Sequence, residues 1–130
     1  MSEKKTSVVD ANAIVSLLLG NERAHFERAR TYFEAVREGI QLAYLPAAVV
    51  AECIYVLTKF YGVSCDDAAG KLLALLDYRG IVVESPEIRH ALTLYRSHKV
   101  DFVDAFVAAI AKHRGYGVFS FDRDLMRLTK

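Results

Sequence analysis

The sequence contains little cysteine and little proline, and neither occurs in a pattern typical of a disulfide scaffold or a linker. Its two cysteines, Cys53 and Cys65, form no CxxC pair and have no histidines at the spacing of a zinc site. We therefore expect reduced thiols in a cytoplasmic protein. The two prolines, Pro46 and Pro86, are typical of helix starts, and no linker or repeat is visible between the ends of the chain.

Long apolar runs and an excess of charge are also lacking. The longest apolar run, residues 43–50, is far shorter than the ~20 residues of a membrane-spanning helix, so we expect no membrane segment. The polar start MSEKKT leads into no signal-peptide core, which indicates no export route. Seventeen basic and sixteen acidic side chains give a net charge of +1. That balance argues against a protein that coats nucleic acid by charge alone, but it leaves room for an enzyme that binds a few phosphates.

What the sequence does have is a high apolar content arranged in short segments. At 130 residues and 53% hydrophobic, it can form one domain, residues 1–130, with a substantial core. Apolar patterning and turn residues predict strands at 6–10, 40–45, 81–83 and 118–121, with helices at 11–19, 21–38, 46–61, from 64, from 86, at 101–114 and at the C-terminus. Short apolar strands separated by helices predict an α/β sandwich whose parallel sheet of four or five strands is flanked by helices.

Four acidic residues fall near one edge of this predicted sheet. Asp10 ends the first strand, and Glu52 lies about two turns into the helix that follows the second strand. Asp104 lies in the first turn of the helix before the last strand, and Asp122 ends that strand. Because ligands gather outside the carboxyl ends of parallel strands, we expect the four side chains to converge.

Some of these acids have an ordinary structural alternative. Asp10 lies between an apolar strand and an apolar helix, where a buried carboxylate must be capped, paired or bound to a metal. It could simply cap that helix. Asp101 is a good candidate for the cap of its helix, and Asp122 or Asp124 could cap the terminal one.

The structural alternative is weaker for Glu52 and Asp104, because both have apolar neighbours. Glu52 has no basic residue within a helical turn, and the nearest, Lys59, is seven positions downstream. Four carboxylates about 5 Å apart would repel by roughly 3 kcal/mol per pair at an effective dielectric of ~20, so the cluster requires protons or cations. Oxygen ligands without histidine or cysteine suit Mg²⁺ or Mn²⁺. The sequence thus predicts a site for phosphodiester hydrolysis by metal-activated water, with Asp10 as a ligand and Asn12 hydrogen-bonded to it or to a water.

Four motifs in this order resemble the PIN-domain ribonucleases in their spacing and in the total length of the chain: "VVDANAIV", "AAVVAECIYVL", "VDFVDAFVAAIA" and "VFSFDRDL". The resemblance implies a PIN-like three-layer α/β sandwich and a metal-dependent endoribonuclease. It also implies that Asp10, Glu52, Asp104 and Asp122 are both the catalytic residues and the ligands of Mg²⁺ or Mn²⁺.

The resemblance extends to auxiliary residues and to partners. Asp101 matches an auxiliary ligand, and Ser120 matches the small hydroxyl residue that stands two positions before the last acid. Asp124 could contact a second metal or cap the terminal helix, and the cap is slightly favoured. A lone domain of this size is most similar to VapC-type toxins of VapBC toxin–antitoxin pairs. That similarity implies an RNA substrate, a small antitoxin partner and a homodimer.

RNA must be bound by a few local cations. Arg123, beside Asp122, is the predicted phosphate contact, and residues 98–99 could also face the site. The basic residues 112–114 end a helix, where cations complement the helix dipole, and we favour that structural role. Three aromatic residues are predicted to belong to the core or a dimer surface rather than to stack on bases: Phe26, Tyr32 and Phe33.

Two other phosphate-handling folds fit the sequence poorly. A response-regulator receiver domain needs an acidic pair, a central aspartate and a late lysine, whereas the middle strand here offers only Glu84 and "FSFD" contains no lysine. A haloacid-dehalogenase-type phosphatase needs DxD, and Asn12 occupies the second position. Two alternatives stay open: an inactive PIN-like interaction domain, and an RNA-processing PIN nuclease without an antitoxin.

Overall fold

A computed structural model describes residues 5–130 of the chain. Its strands are β1 (Thr6–Val8), β2 (Leu42–Leu45) and β3 (Ile81–Val83). Its helices are α1 (Ala11–Leu19), α2 (Arg23–Arg37), α3 (Ala47–Tyr55), α4 (Cys65–Leu76), α5 (Glu87–Ser97), α6 (Phe102–Arg114) and α7 (Arg123–Leu128). A π-helical turn, Val56–Phe60, continues α3. In this part of the chain no helix is long and apolar enough to cross a bilayer.

The strands form an open parallel sheet flanked by helices, which confirms the predicted α/β class. The order is β1-β2-β3, with Ser7 opposite Ala43 and Tyr44 opposite Val82. Since β2 pairs in parallel with both neighbours, all three strands point the same way and their carboxyl ends meet at one edge. The chain leaves this edge into α1, α3 and α5.

The prediction of a fourth strand at 118–121 is wrong, and the described residues contain three strands rather than four or five. A strand requires a neighbour to complete its backbone ladder, and this segment pairs with none of the described strands. The Ser120 Oγ instead accepts a hydrogen bond from the amide of Asp122 at 2.9 Å, which turns the chain toward α7. Phe119 and Phe121 are 91% and 92% exposed. These apolar side chains led to the prediction of a buried strand, but neither of them enters the core.

The core lies between the sheet and its helices. Its largest fully buried side chains come from α1, α2, β2, α3 with its π-helical turn, α4 and α5: Phe33, Ile14, Leu45, Leu57, Leu72, Leu75, Ile88, Leu92, Val36, Val50 and Cys53. Such side chains each contribute roughly 1.5–3 kcal/mol by leaving water. Helix α5 packs against α4 and α6, while α3 packs against α1, α4 and α6, which places α3 centrally among the elements that carry the candidate acids.

Helices α3 and α5 begin where the sequence predicted, and a side chain from another element caps the start of α3. Pro46 and Pro86 stand immediately before α3 and α5, as predicted. A proline side chain cannot accept a hydrogen bond from the first turn. The Oε1 of Glu84, just after β3, accepts one from the amide of Ala47 at 2.7 Å. The end of β3 therefore fixes the start of the helix that carries Glu52.

Gly80 is buried at the entry to β3 and allows a close approach between backbones. Its amide donates to the carbonyl of Val36 at 2.8 Å, and its own carbonyl accepts from the amide of Ala43 at 2.8 Å. A Cβ at this position would overlap the carbonyl oxygen of Gln41 and lie 2.8 Å from that of Val36. No flexible side chain can move aside there, because both neighbours are backbone atoms.

We expect Gly80→Ala to lower the free energy of unfolding by about 2 kcal/mol or more, since overpacking against backbone forces β2 and β3 apart. Gly117→Ala is the matched control, because a Cβ there meets no atom within 4 Å. Urea unfolding of both variants measures the difference. Equal stability of the two variants would contradict the close approach.

Candidate functional site

Asp10 follows β1 and caps α1. Its Oδ1 accepts a hydrogen bond from the amide of Ala13 at 3.0 Å, so the capping alternative is confirmed. The side chain is exposed, and the expectation that it is desolvated between strand and helix is wrong. The cap uses one carboxylate oxygen, which leaves the second for another partner. Asn12 is also exposed and forms no hydrogen bond with Asp10, contrary to the direct contact considered from the sequence.

Glu52 projects from the second turn of α3 beside a buried thiol. The Glu52 side chain is exposed and forms no ion pair within residues 5–130. Burial of the neighbouring Cys53, followed by the negative charges of Glu52 and Asp10, raises the pKa of this thiol to about 12. Cys53 therefore stays protonated at neutral pH. Glu52 and Asp10 therefore both lie within electrostatic range of the same sulfur atom.

Asp104 lies half-buried in the first turn of α6 and faces other acids. Burial raises the pKa of its carboxyl, and the charges of Asp122, Asp101 and Asp124 raise it further, in that order. Each of these interactions disfavours the ionised form of Asp104. The start of α6 and the start of α7 thus bring four acids within electrostatic range of one another.

Asp122 is the cap of α7. Its Oδ1 accepts from the amide of Leu125 at 2.9 Å, and its own amide donates to Ser120 at 2.9 Å. Ser120 therefore orients the turn that presents Asp122. Asp124, the favoured cap in the sequence, instead lies 3.3 Å from Arg127 in an exposed ion pair.

Asp101 occupies the position before α6, but its side chain makes no capping hydrogen bond, so the prediction that it caps this helix is wrong. The amide of Ala105 is satisfied by the Asp101 backbone carbonyl at 3.0 Å instead. Asp101 therefore presents an exposed carboxylate next to Asp104 rather than one tied to the helix start.

The candidate cations divide into paired and unpaired residues. Arg123 is exposed beside Asp122 and forms no ion pair within the described chain. Arg114 lies 2.6 Å from the buried Glu87 and holds the pKa of that carboxyl below its usual range. The Nε2 of His113 lies 3.0 Å from the Nδ1 of His90. The end of α6 is thus tied to α5, which supports its structural interpretation. Two further residues with basic side chains lie exposed between these helices: His98 and Lys99.

Of the aromatic residues of α2, Phe33 belongs to the core, as predicted, whereas Tyr32 lies at the edge of the core and also lines a cavity. Phe33 is buried, and the Tyr32 ring packs edge-on against it at 5.1 Å. Sequence reasoning missed the cavity that these rings help to form beside Asp10. About 460 Å³ in volume, it is also lined by Ser16, His25 and Arg28. The spacing 25, 28, 32 marks one face of α2, a signal that the sequence contained.

The acids form two groups: Asp10 and Glu52 lie near Cys53, and Asp104 lies near Asp101, Asp122 and Asp124. Within residues 5–130, no three metal-binding side chains are arranged to hold one ion together. The chemistry of the donors nevertheless fits a hard divalent cation, because all are carboxylates and Asp104 is surrounded by like charge.

The fold is thus an open parallel sheet flanked by helices, with Asp10 and Glu52 following the carboxyl ends of β1 and β2. In a comparison with models of protein families, the PIN domain model matches residues 7–130. The chain belongs to the PIN domain family. PIN domains are generally nucleases that act on nucleic acids and use divalent metals. A search of curated proteins finds no significant match.

Replacing Asp104 should stabilise the metal-free protein. Because burial and neighbouring charges raise its pKa, ionised Asp104 destabilises the fold above that pKa, and the penalty disappears below the usual value near 3.8. In chelator at neutral pH, we expect Asp104→Asn to raise Tm by about 2 °C, corresponding to ~0.5 kcal/mol. The gain should shrink toward pH 4.

Asp66→Asn is the matched control, since Asp66 also lies in a helix first turn but pairs with Arg96 at 2.7 Å. That variant should show an unchanged or lower Tm, because the Arg96 pairing lowers the Asp66 pKa. A lower Tm for Asp104→Asn, measured by thermal denaturation at both pH values, would refute the account of repulsion.

Proposed function

We propose that this protein is a metal-dependent endoribonuclease with Asp10, Glu52, Asp104 and Asp122 as its catalytic and metal-binding carboxylates. The observation that carries the proposal is the match of the PIN domain family over residues 7–130, and the acids from the starts of α6 and α7 gathered around Asp104 support it. Structural acids are usually arranged beside cations, as Asp66 is beside Arg96. Uncompensated carboxylates are typical of functional sites.

Mg²⁺ or Mn²⁺ is the proposed cofactor. When bound, such an ion supplies a Lewis acid that activates water and stabilises the leaving oxygen of a phosphodiester. The chain's own residues would supply the rest: the four carboxylates hold the ion, and Asp101 and Asp124 add negative potential beside Asp104. Arg123 would hold a phosphate of the RNA next to Asp122, because its guanidinium suits phosphate oxygens.

We further propose that the chain is a single PIN-like domain, residues 1–130, that acts as a VapC-type toxin with a small antitoxin partner. The order and spacing of the four motifs and the extent of the PIN domain match, residues 7–130, support this proposal. The free thiols of Cys53 and Cys65 support a cytoplasmic location. A homodimer is supported by the exposed aromatic rings at the end of α3, where Tyr55 is 66% and Phe60 78% exposed.

Cleavage of a mixed RNA panel by the purified protein tests this function. We expect cutting with Mn²⁺ or Mg²⁺, none with chelator, and a loss of at least about 100-fold in Asp104→Asn, because electrostatic groups of this kind contribute that much or more. Asp77→Asn should cut at the normal rate, since Asp77 precedes β3 at the opposite edge and pairs with Arg89 at 2.7 Å.

A rise in Tm on adding Mn²⁺ would establish that the assayed protein is folded and metal-loaded. Folded, metal-loaded protein that cuts no RNA would contradict the nuclease and favour the inactive interaction domain. Cutting by a protein whose gene has no antitoxin gene beside it would favour an RNA-processing nuclease. Normal cutting by Asp104→Asn would overturn the role given to Asp104.

A further inference from the structure

A concave surface runs from Asp10 across the face of α2. The cavity beside Asp10 and Asn12 has a volume of about 460 Å³ and reaches Arg28 and Tyr32. A second cavity of about 430 Å³ is lined by Glu27, Arg28, Thr31 and Tyr32. Because Arg28 and Tyr32 line both, the two cavities adjoin. Each has the size of a typical ligand pocket.

Arg28 differs from the next arginine of the same helix in having no acidic partner. Arg30 lies 2.9 Å from Glu27 and 3.3 Å from Glu34, so its charge is compensated. Arg28 forms no ion pair within residues 5–130, although Glu27 is its neighbour in sequence. Its guanidinium is therefore free to form charge-assisted hydrogen bonds with an anion.

Tyr32 supplies an aromatic surface at the junction of the two cavities. It is half-buried, and its hydroxyl has no hydrogen-bond partner among the described residues. Ser16 adds a buried polar residue to the wall on the α1 side. A surface that combines a free guanidinium, an aromatic side chain and polar groups suits an unpaired nucleotide, which has a phosphate, a flat base and sugar hydroxyls.

We propose that this surface, the α1–α2 groove, carries single-stranded RNA away from the cleavage site, with Arg28 binding a backbone phosphate and Tyr32 contacting the adjoining nucleotide. The inference rests on the proposed function, because Asp10 at one end of the groove is a proposed catalytic residue. The groove gives the RNA a second contact, in addition to the Arg123 contact proposed beside Asp122.

The test measures binding of a fluorescein-labelled single-stranded RNA of ten mixed nucleotides by anisotropy, in Asp104→Asn protein so that the probe stays intact. Adding Arg28→Ala should weaken binding about tenfold, as loss of a hydrogen bond to a charged group does. It should also reduce the slope of log K against log salt by about 1. Arg28→Lys should keep the salt slope, because the charge remains.

Arg23→Ala is the matched control, since it removes the same charge from α2 but lines neither cavity. It should leave affinity and salt slope unchanged, and a duplex of the same sequence should bind less tightly than the single strand. Equal affinity of Arg28→Ala and Arg23→Ala, preference for the duplex, or no RNA binding at all would each overturn the groove.

Cleavage by otherwise unmodified protein carrying Arg28→Ala is measured in parallel. If wild-type protein cuts RNA but Arg28→Ala binds it normally, the proposal of an RNA-binding groove is wrong and the proposal of a nuclease is supported. If RNA binding depends on Arg28 but wild-type protein cuts no RNA, the proposal of an RNA-binding groove is supported and the proposal of a nuclease is wrong.

Discussion

The pairing of β2 with both other strands is the constraint on which the rest of the molecule depends. It makes the sheet parallel, so that the chain leaves β1, β2 and β3 at one edge and enters α1, α3 and α5 there. Asp10 lies at the first of these exits, and Glu52 lies on the helix that follows the second. Glu84 at the third exit binds the amide of Ala47 and so fixes the direction of α3. At the opposite edge of the sheet, Gly80 lets the start of β3 lie close to the backbone of Val36 and Gln41.

Some of the candidate acids serve the fold while their side chains remain exposed. Asp10 and Asp122 each cap a helix through one carboxylate oxygen, which positions the group without neutralising it. Asp104 gains no such contact, and its neighbours raise its pKa. The fold thus tolerates repulsion between Asp104 and its acidic neighbours. The repulsion is consistent with membership of the PIN domain family, because PIN domains are generally nucleases that use divalent metals.

The sequence predicted those features that depend on local pattern. Helix α1 and strand β3 lie where apolar spacing placed them, and both prolines precede helices. The predicted strand at 118–121 failed because strand formation depends on a partner, which local pattern does not contain. Asp101 looked like a cap by residue type, but side-chain geometry decided otherwise. The α1–α2 groove was missed because it forms only when two helices pack, although the face of α2 that lines it was visible in the spacing.

The central claim is that acids from four separate segments share one divalent cation. Paramagnetic broadening by Mn²⁺ in a ¹⁵N-labelled sample tests this claim most directly, because it locates the ion without requiring any substrate. At substoichiometric Mn²⁺, we predict that amide signals around Asp10, Glu52, Asp104 and Asp122 broaden together, and that those around Asp77 at the opposite edge stay sharp. Broadening confined to one of the two acid groups, or spread evenly over the protein, would contradict a shared site.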